Sequence, residues 1–273
     1  MPWTAPATEP ASDPALTRVF AGCLPGGRLS GPLLAFASVA STQGICRVLA
    51  AEGAPEGTVV LADHQTAGRG RRGRAWTAPP GTALLFSCVL RPPLDSSRWP
   101  ELTLTAGCAV AEAVESTAGV AVRLKWPNDV LVDHRKVAGI LAEGVLGEDP
   151  FVVLGIGVNV LQRGADWPPD LSSRAVSLAA VGSAVGREAL LAAILARVAA
   201  RYDDLLTRGF GVVREAWRHR AVFGERMASP NGDAVSLDLA PSGGLVVRRD
   251  DGTTTTLVSS DEPSVAPSVG RKD

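Results

Sequence analysis

Apolar and polar positions follow two periods along this chain, and the changes of period mark out its elements. Short apolar or β-branched runs, bounded by Gly, Pro, Asn or Asp, predict strands over residues 36–40, 58–62, 82–90, 120–124, 130–132, 136–145 and 151–160. Helical spacing predicts a helix over residues 44–52, with Ile45, Val48 and Leu49 on one face. A second, over residues 102–115, offers Leu104, Cys108, Val110, Ala111 and Val114 to a core. Two more helices are predicted over residues 190–206 and 213–222. Strands separated by short turns favour an antiparallel or mixed sheet over a doubly wound one, so the expected class is α+β, with helices flanking the sheet.

From about Gly224 the pattern changes. Residues 234–239, 245–249 and 253–258 read as short strands joined by Ser242-Gly243-Gly244 and Asp250-Asp251-Gly252. They predict a small C-terminal β-barrel over residues 223–262, too small to carry chemistry alone. Residues 1–34, rich in Ala, Pro, Thr and Gly, read as a flexible arm. Residues 35–222 then form the main domain, and residues 263–273 a disordered tail.

Composition narrows the classes. The chain has 273 residues, 46% hydrophobic, which is enough for a large buried core. Its formal net charge of -1 argues against a general binder of nucleic acid or anionic membranes. With 5% aromatic residues and one tyrosine it lacks stacking platforms for single strands. Cys23, Cys46, Cys88 and Cys108 are widely spaced, and His64, His134 and His219 are scattered, so neither a disulfide framework nor a zinc site is indicated. The N-terminus lacks a signal-peptide pattern, and no run approaches the roughly 18 apolar residues of a spanning helix. A cytoplasmic protein is expected.

The candidate chemistry starts at residues 68–74, where four arginines and three glycines stand in seven positions. Glycine lets backbone N–H groups approach a ligand, and arginine forks grip carboxylate or phosphate. The stretch therefore reads as a clamp for a small anion. Three other readings compete. Gly68-x-Gly70-x-x-Gly73 matches a dinucleotide fingerprint in form, but Trp76-Thr77-Ala78-Pro79-Pro80-Gly81 cannot open the helix which that fingerprint needs. A nucleic-acid patch and a solvated basic turn stay open. Lys125 and Lys136 stand at turn-strand junctions, with Asn128 and Asp129 beside them as hard oxygen donors suited to magnesium held through water. Gly155 and Gly157 thin a buried strand where a ligand could approach. Ser41 or Thr42 is expected to cap the helix that follows, which places a hydroxyl at a helix N-terminus. No Ser-His-Asp or Cys-His set suits this cleft. A cationic site with one carboxylate fits nucleotidyl transfer, in which a substrate carboxylate attacks the α-phosphate of ATP.

These residues resemble a known family. The segment from Gln65 through Gly68-Arg69-Gly70-Arg71-Arg72-Gly73-Arg74-Ala75-Trp76 is similar to the biotin-binding loop of biotin–protein ligases. Lys125-Trp126-Pro127-Asn128-Asp129, Arg135-Lys136-Val137-Ala138-Gly139-Ile140-Leu141 and Gly155-Ile156-Gly157-Val158-Asn159 resemble the family's next motifs in the same order.

The resemblance implies a class II synthetase-like biotin/lipoate ligase domain with a small SH3-like barrel. It implies biotin and ATP-Mg2+ as ligands, biotinyl-5′-AMP as intermediate, and a biotin carboxyl carrier domain of an acyl-CoA carboxylase as acceptor. Carried over by position, Ser41, Thr42 and Gln43 would contact the biotin rings, with Gln65 beside them. Gly68, Arg69, Gly70 and Arg71 would close over biotin and its adenylate, with Gly157 and Asn159 lining the same site. Lys136 would bind the carboxylate and reacting phosphate, Arg71 and Lys125 would assist, Arg72 and Arg74 would meet phosphate, and Asp129 the metal through water. Gln43 departs from the family's usual Asn, and Ala175-Val176-Ser177-Leu178 from its Ala-Thr-Ser-Leu. A lipoate or octanoate ligase would share the fold but lack the arginine clamp. The short N-terminal arm argues against the DNA-binding domain some members carry, so a monofunctional ligase is expected. The arginine loop as part of a nucleic-acid-binding regulator is the reading from another class.

Overall fold

The computed structural model describes residues 11–229 and 232–258. Asp13 opens the first element. Its Oδ1 accepts from the N–H groups of Ala15 (2.8 Å) and Leu16 (3.1 Å), and Pro14 sits at the first helical position, so helix α1 runs Pro14–Ala21. Phe20, Cys23 and Leu29 are buried in the main core. From residue 11 onward, then, the expected flexible arm is corrected: its apolar residues have a core to join.

The chain continues through β1 (Leu33–Val39), α2 (Thr42–Ala51), β2 (Val59–Gln65) and β3 (Ala83–Leu90). Helix α3 (Pro100–Ala118) follows, then β4 (Arg123–Lys125), β5 (Asp129–Val132), β6 (Arg135–Val145) and β7 (Phe151–Asn159). These seven strands form one sheet in the order β1-β2-β3-β7-β6-β5-β4. Only β1 and β2 pair in parallel; α2 supplies the crossover that a parallel pair needs. Every other pair is antiparallel, so the sheet is mixed as expected.

The two faces of the sheet have different partners. Residues of alternating register, such as Leu84, Phe86, Cys88 and Leu90 of β3, point into a core shared with α3, α4 (Arg187–Arg208) and α5 (Phe210–Arg218). Helix α3 is bounded by Pro100 at its start and by Gly119 in left-handed conformation (φ 67°) after its end. On the opposite face, Cys46, Leu49 and Ala50 of α2 pack on Leu34, Phe36, Val60, Ala62 and Val153. Each fully buried large aliphatic side chain adds about 1.5–3 kcal/mol of burial. Helix α2 covers only part of this face. The stretch left open, across β3, β7 and β6, is where the cleft lies.

The expected small C-terminal β unit is present: β8 (Arg226–Ser229), β9 (Gly232–Leu239), β10 (Leu245–Arg249) and β11 (Thr254–Leu257) pair as a four-stranded antiparallel sheet in the order β11-β10-β9-β8. Ala234, Leu245 and Val247 make a small core that Trp126 and Phe223 help cover. Trp126 also donates its indole N–H to Gly243 O at 3.0 Å. Arg218 of α5 grips Asp238 of β9 at 2.7 and 3.1 Å, and Arg214 donates to Leu239 O. The small sheet is thereby tied to the main domain beside the β4–β5 turn. The tail expected over residues 263–273 lies outside the described residues, as do residues 1–10 of the arm.

Candidate active site

A cleft of about 1210 Å³ opens on the face of the sheet away from α3–α5. Its floor is built by the two-residue period of three adjacent strands. Leu85 and Ser87 come from β3, Gly155, Gly157 and Asn159 from β7, and Gly139 and Leu141 from β6. Gly139 and Gly157 are direct partners across β6 and β7. A Cβ on Gly157 would stand 2.7 Å from the Trp76 indole, and one on Gly139 would stand 2.9 Å from both Trp76 and Lys136. The glycine pair is the seat on which Trp76 lies.

The arginine segment returns on itself as a small hairpin. Trp76 N–H donates to Gly68 O (2.9 Å), Gly70 N–H to Arg74 O (2.7 Å), and Arg69 bridges Ala75. A 3-10 turn over Arg71–Gly73 forms its tip, with Arg72 in left-handed conformation at φ 56°. Arg69, Gly70, Arg71, Arg72 and Arg74 all line the cleft. Gly68 does not. A Cβ there would meet Trp76 O at 2.4 Å, so Gly68 permits the hairpin's close approach.

At one end of the cleft stand Ser41, Thr42, Gln43 and Gln65. Ser41 occupies the N-cap position of α2, but its hydroxyl makes no capping hydrogen bond. Gln65 Oε1 does that work, accepting from Thr42 N–H (2.8 Å) and from the Thr42 hydroxyl (3.1 Å). The same hydroxyl lies 2.9 Å from Ser87 Oγ, so Thr42 is held on two sides. Ser41 Oγ is left buried without a protein partner. Gln43 is 4% exposed and donates from Nε2 to Glu143 Oε2 (3.0 Å), Leu141 O (3.4 Å) and Val153 O (3.4 Å). All three neighbours are acceptors, which fixes the orientation of the amide. Gln43 Oε1 therefore faces away from them, buried and without a partner. Gly155 makes room for it: a Cβ there would lie 2.8 Å from Gln43 Oε1.

The other end of the cleft is charged. Lys136 Nζ pairs with Asp129 Oδ1 at 2.5 Å and lies 5.5 Å from the centroid of the Trp76 ring. Asp129, expected to serve a metal, is thus seen first as the anchor of Lys136. Asn159 donates from Nδ2 to Lys136 O (3.2 Å) and accepts from Gln162 Nε2 (3.1 Å). Its amide braces the lysine backbone, while the residue itself still lines the cleft floor. Lys125 lies on the rim, half exposed and paired with Glu225 at 3.0 Å.

Sequence reasoning named Trp76 only as the end of a motif and missed Glu143 and Arg249. Arg249 lines the cleft from β10, with its Nε buried and unpartnered. Glu143 carried a readable signal: it is a lone carboxylate within the apolar strand 137–145. Arg249 carried none, because only the docking of the small sheet brings it to the cleft. Among the described residues no group of three His, Cys, Asp or Glu side chains could hold a metal. No helix among them is long and apolar enough to cross a membrane.

The cleft thus combines glycine-thinned strands as its floor with buried polar side chains at one end and cations at the other. The chain belongs to the biotin/lipoate A/B protein ligase family, whose profile matches residues 36–159. The biotin--[acetyl-CoA-carboxylase] ligase of Paracoccus denitrificans is 38% identical over 210 residues, which cover 69% of this chain and 83% of that protein. The bifunctional ligase/repressor BirA of Bacillus spizizenii is 41% identical over 187 residues, 67% of this chain. Those residues take in 58% of that relative, so the chain spans little more than half its length. The biotin protein ligase from Aquifex aeolicus, solved in complex with biotin and ATP, superposes with a TM-score of 0.71 at 30% identity, covering 83% of this chain and 95% of that one.

Proposed function

We propose that this protein activates biotin with ATP as biotinyl-5′-AMP and transfers the biotinyl group to a lysine of a carrier domain in an acyl-CoA carboxylase. The observation that carries the reading is the orientation of the Gln43 amide. Buried acceptors that lack a partner, Gln43 Oε1 and Ser41 Oγ, favour a ligand that brings hydrogen-bond donors. The ureido ring of biotin has two N–H groups. The dithiolane of lipoate has none, so binding it would leave these atoms buried and unsatisfied, at about 1–3 kcal/mol each.

With its rings at Gln43 and Ser41, biotin would direct its carboxylate toward Lys136. A carboxylate oxygen attacks the α-phosphorus of ATP, and the bond to the bridging oxygen of pyrophosphate breaks. Lys136, fixed by Asp129 and stacked on Trp76, would sit where charge builds up; the loop arginines, Arg71 among them, would hold the phosphates. In the second step a lysine amine of the carrier attacks the acyl carbon of the mixed anhydride. The bond to AMP breaks, AMP leaves, and the amide forms with loss of a proton from the amine. Covalent help from the protein is not required; alignment and charge carry the rate.

The donor set fits an ion carried on the phosphates of ATP, with Asp129 as the available carboxylate, better than an ion caged by protein. When bound, magnesium would neutralise phosphate charge. A supply of ATP and of carrier places the reaction in the cytoplasm.

The test is incubation with ATP, magnesium, biotin and a carrier domain, followed by intact mass. Biotin addition is expected, with none from lipoate. Lipoate addition at a comparable rate, or no addition from biotin, would overturn the reading.

A further inference from the structure

Gln43 and Arg69 belong to opposite walls of the cleft, one on α2 and one in the arginine hairpin, and they meet at a single atom. Glu143 Oε2 accepts from Gln43 Nε2 at 3.0 Å and stands 3.7 Å from Arg69 Nη2. Glu143 lies near the C-terminal end of β6, within the stretch Ala138–Val145 that is paired residue by residue with β7, and its side chain is only 23% exposed. Arg69 is half exposed and lies on a loop held by few backbone bonds. The carboxylate is thus the fixed member of the trio. Leu141 O and Val153 O each lie 3.4 Å from Gln43 Nε2, longer than the contact to Glu143, so the carboxylate is the strongest acceptor acting on that amide.

We propose that Glu143 is a positioning residue which sets the Gln43 acceptor toward the bound ring and, through the same oxygen, tethers the arginine hairpin at Arg69. The inference rests on the reading of the cleft as a biotin site. Without a carboxylate at position 143, the Gln43 amide loses its best reason to keep Nε2 inward. A flipped amide would present N–H groups to the N–H groups of the ureido ring, which is a repulsive pairing. The tether has a separate consequence. An ion pair at this exposure holds weakly, so it can keep the hairpin near the rings while still releasing it for ligand exchange. The ring pocket and the loop that closes over it are referenced to one rigid strand.

Two variants separate the two roles. Glu143→Gln keeps an oxygen that can accept from Gln43 but removes the charge that Arg69 sees. Glu143→Ala removes both. Calorimetric titration with biotin alone is expected to give an affinity within about threefold of native for Glu143→Gln and at least about tenfold weaker for Glu143→Ala, the loss that follows a missing charged hydrogen bond. Limited trypsin cleavage of the ligand-free protein between Arg69 and Arg74 is expected to speed up severalfold in both. Equal affinity loss in the two variants, or none in either, overturns the orienting role. Unchanged cleavage in Glu143→Gln overturns the tether. If Glu143→Ala does not fold, Glu143→Gln and Glu143→Asp carry the test; Asp, one methylene shorter, is expected to weaken biotin as Ala does, and native-like affinity overturns the orienting role. If native protein binds no biotin, the proposed function fails by itself, and the cleavage arm still decides the tether.

Discussion

Trp76 lies against Gly157 so closely that a Cβ on the glycine would stand 2.7 Å from the indole ring. The same ring carries Lys136 Nζ at 5.5 Å from its centroid. One missing methyl group on β7 therefore sets the position of a ring, and the ring sets the surroundings of the cation. Gly157→Ala is expected to lift Trp76 and to slow adenylate formation by about tenfold to a hundredfold, in keeping with an overpacking strain of about 1–3 kcal/mol. Pyrophosphate release at saturating ATP reads the effect. A native rate from this variant would show that the seat of Trp76 does not matter to the reaction.

Lys136 is gripped by Asp129 Oδ1 at 2.5 Å and braced at its carbonyl by Asn159. Those contacts fix a charge before any ligand arrives, which is the preorganisation that electrostatic catalysis uses. Lys136→Ala is expected to cut pyrophosphate release by a factor on the order of a hundred to a thousand. Asp129→Asn leaves the lysine in place but loosens its anchor, so a smaller loss is expected. A Lys136→Ala protein that releases pyrophosphate at close to the native rate would remove Lys136 from the mechanism.

Ser41 offers a sharper separation of stability from function. Its hydroxyl is buried, caps no helix and has no protein partner, so in the free protein it costs stability. Ser41→Ala is expected to leave the melting temperature unchanged or slightly higher while raising the KM for biotin about tenfold. Thermal melts and steady-state kinetics on one preparation check both halves. A melting temperature that falls with KM unaltered would mean the hydroxyl serves the fold.

How much of this was legible in the sequence depends on the distance over which each feature is determined. The strands of the main sheet and the helices at 102–115 and 190–206 were readable because burial imposes its period locally; both helices proved longer at each end, whereas the strand ends moved in either direction, 120–124 shrinking to Arg123–Lys125. Helix α1 was missed although Asp13-Pro14 is a good start signal, since its neighbours are Ala and Pro and only Phe20 marks its buried face. The cleft residues named from motifs do come together, with Gly68 as the exception, because its glycine serves the hairpin. Whether a polar side chain meets ligand or protein was beyond the pattern. Asn159 and Thr42 turn to protein partners, while Ser41 and Gln43 each keep a buried oxygen without one; only the packed neighbours decide that.

The junction of the small sheet with the main domain makes a prediction in pH. Burial of Asp238 on β9 would raise its pKa, but hydrogen bonds from Arg218 and from the Leu239 N–H outweigh that and hold it below the usual carboxylate value. A carboxylate with a lowered folded pKa binds its proton more weakly in the folded protein than in the unfolded chain. Its stabilising contribution is therefore complete above the unfolded value of about 3.9 and is lost as pH falls through the lower, folded value. Asp238→Asn removes the charge at every pH. The melting-temperature gap between the native protein and this variant is expected to be constant from about pH 7 down to about pH 5, and to shrink steadily below about pH 4. Because Arg249 reaches the cleft from the same sheet, the variant is also expected to bind ATP more weakly than the native protein at neutral pH, where the native pair is fully formed, read by titration. A gap that persists unchanged in strong acid would show that the Arg218–Asp238 pair does not hold the sheet in place.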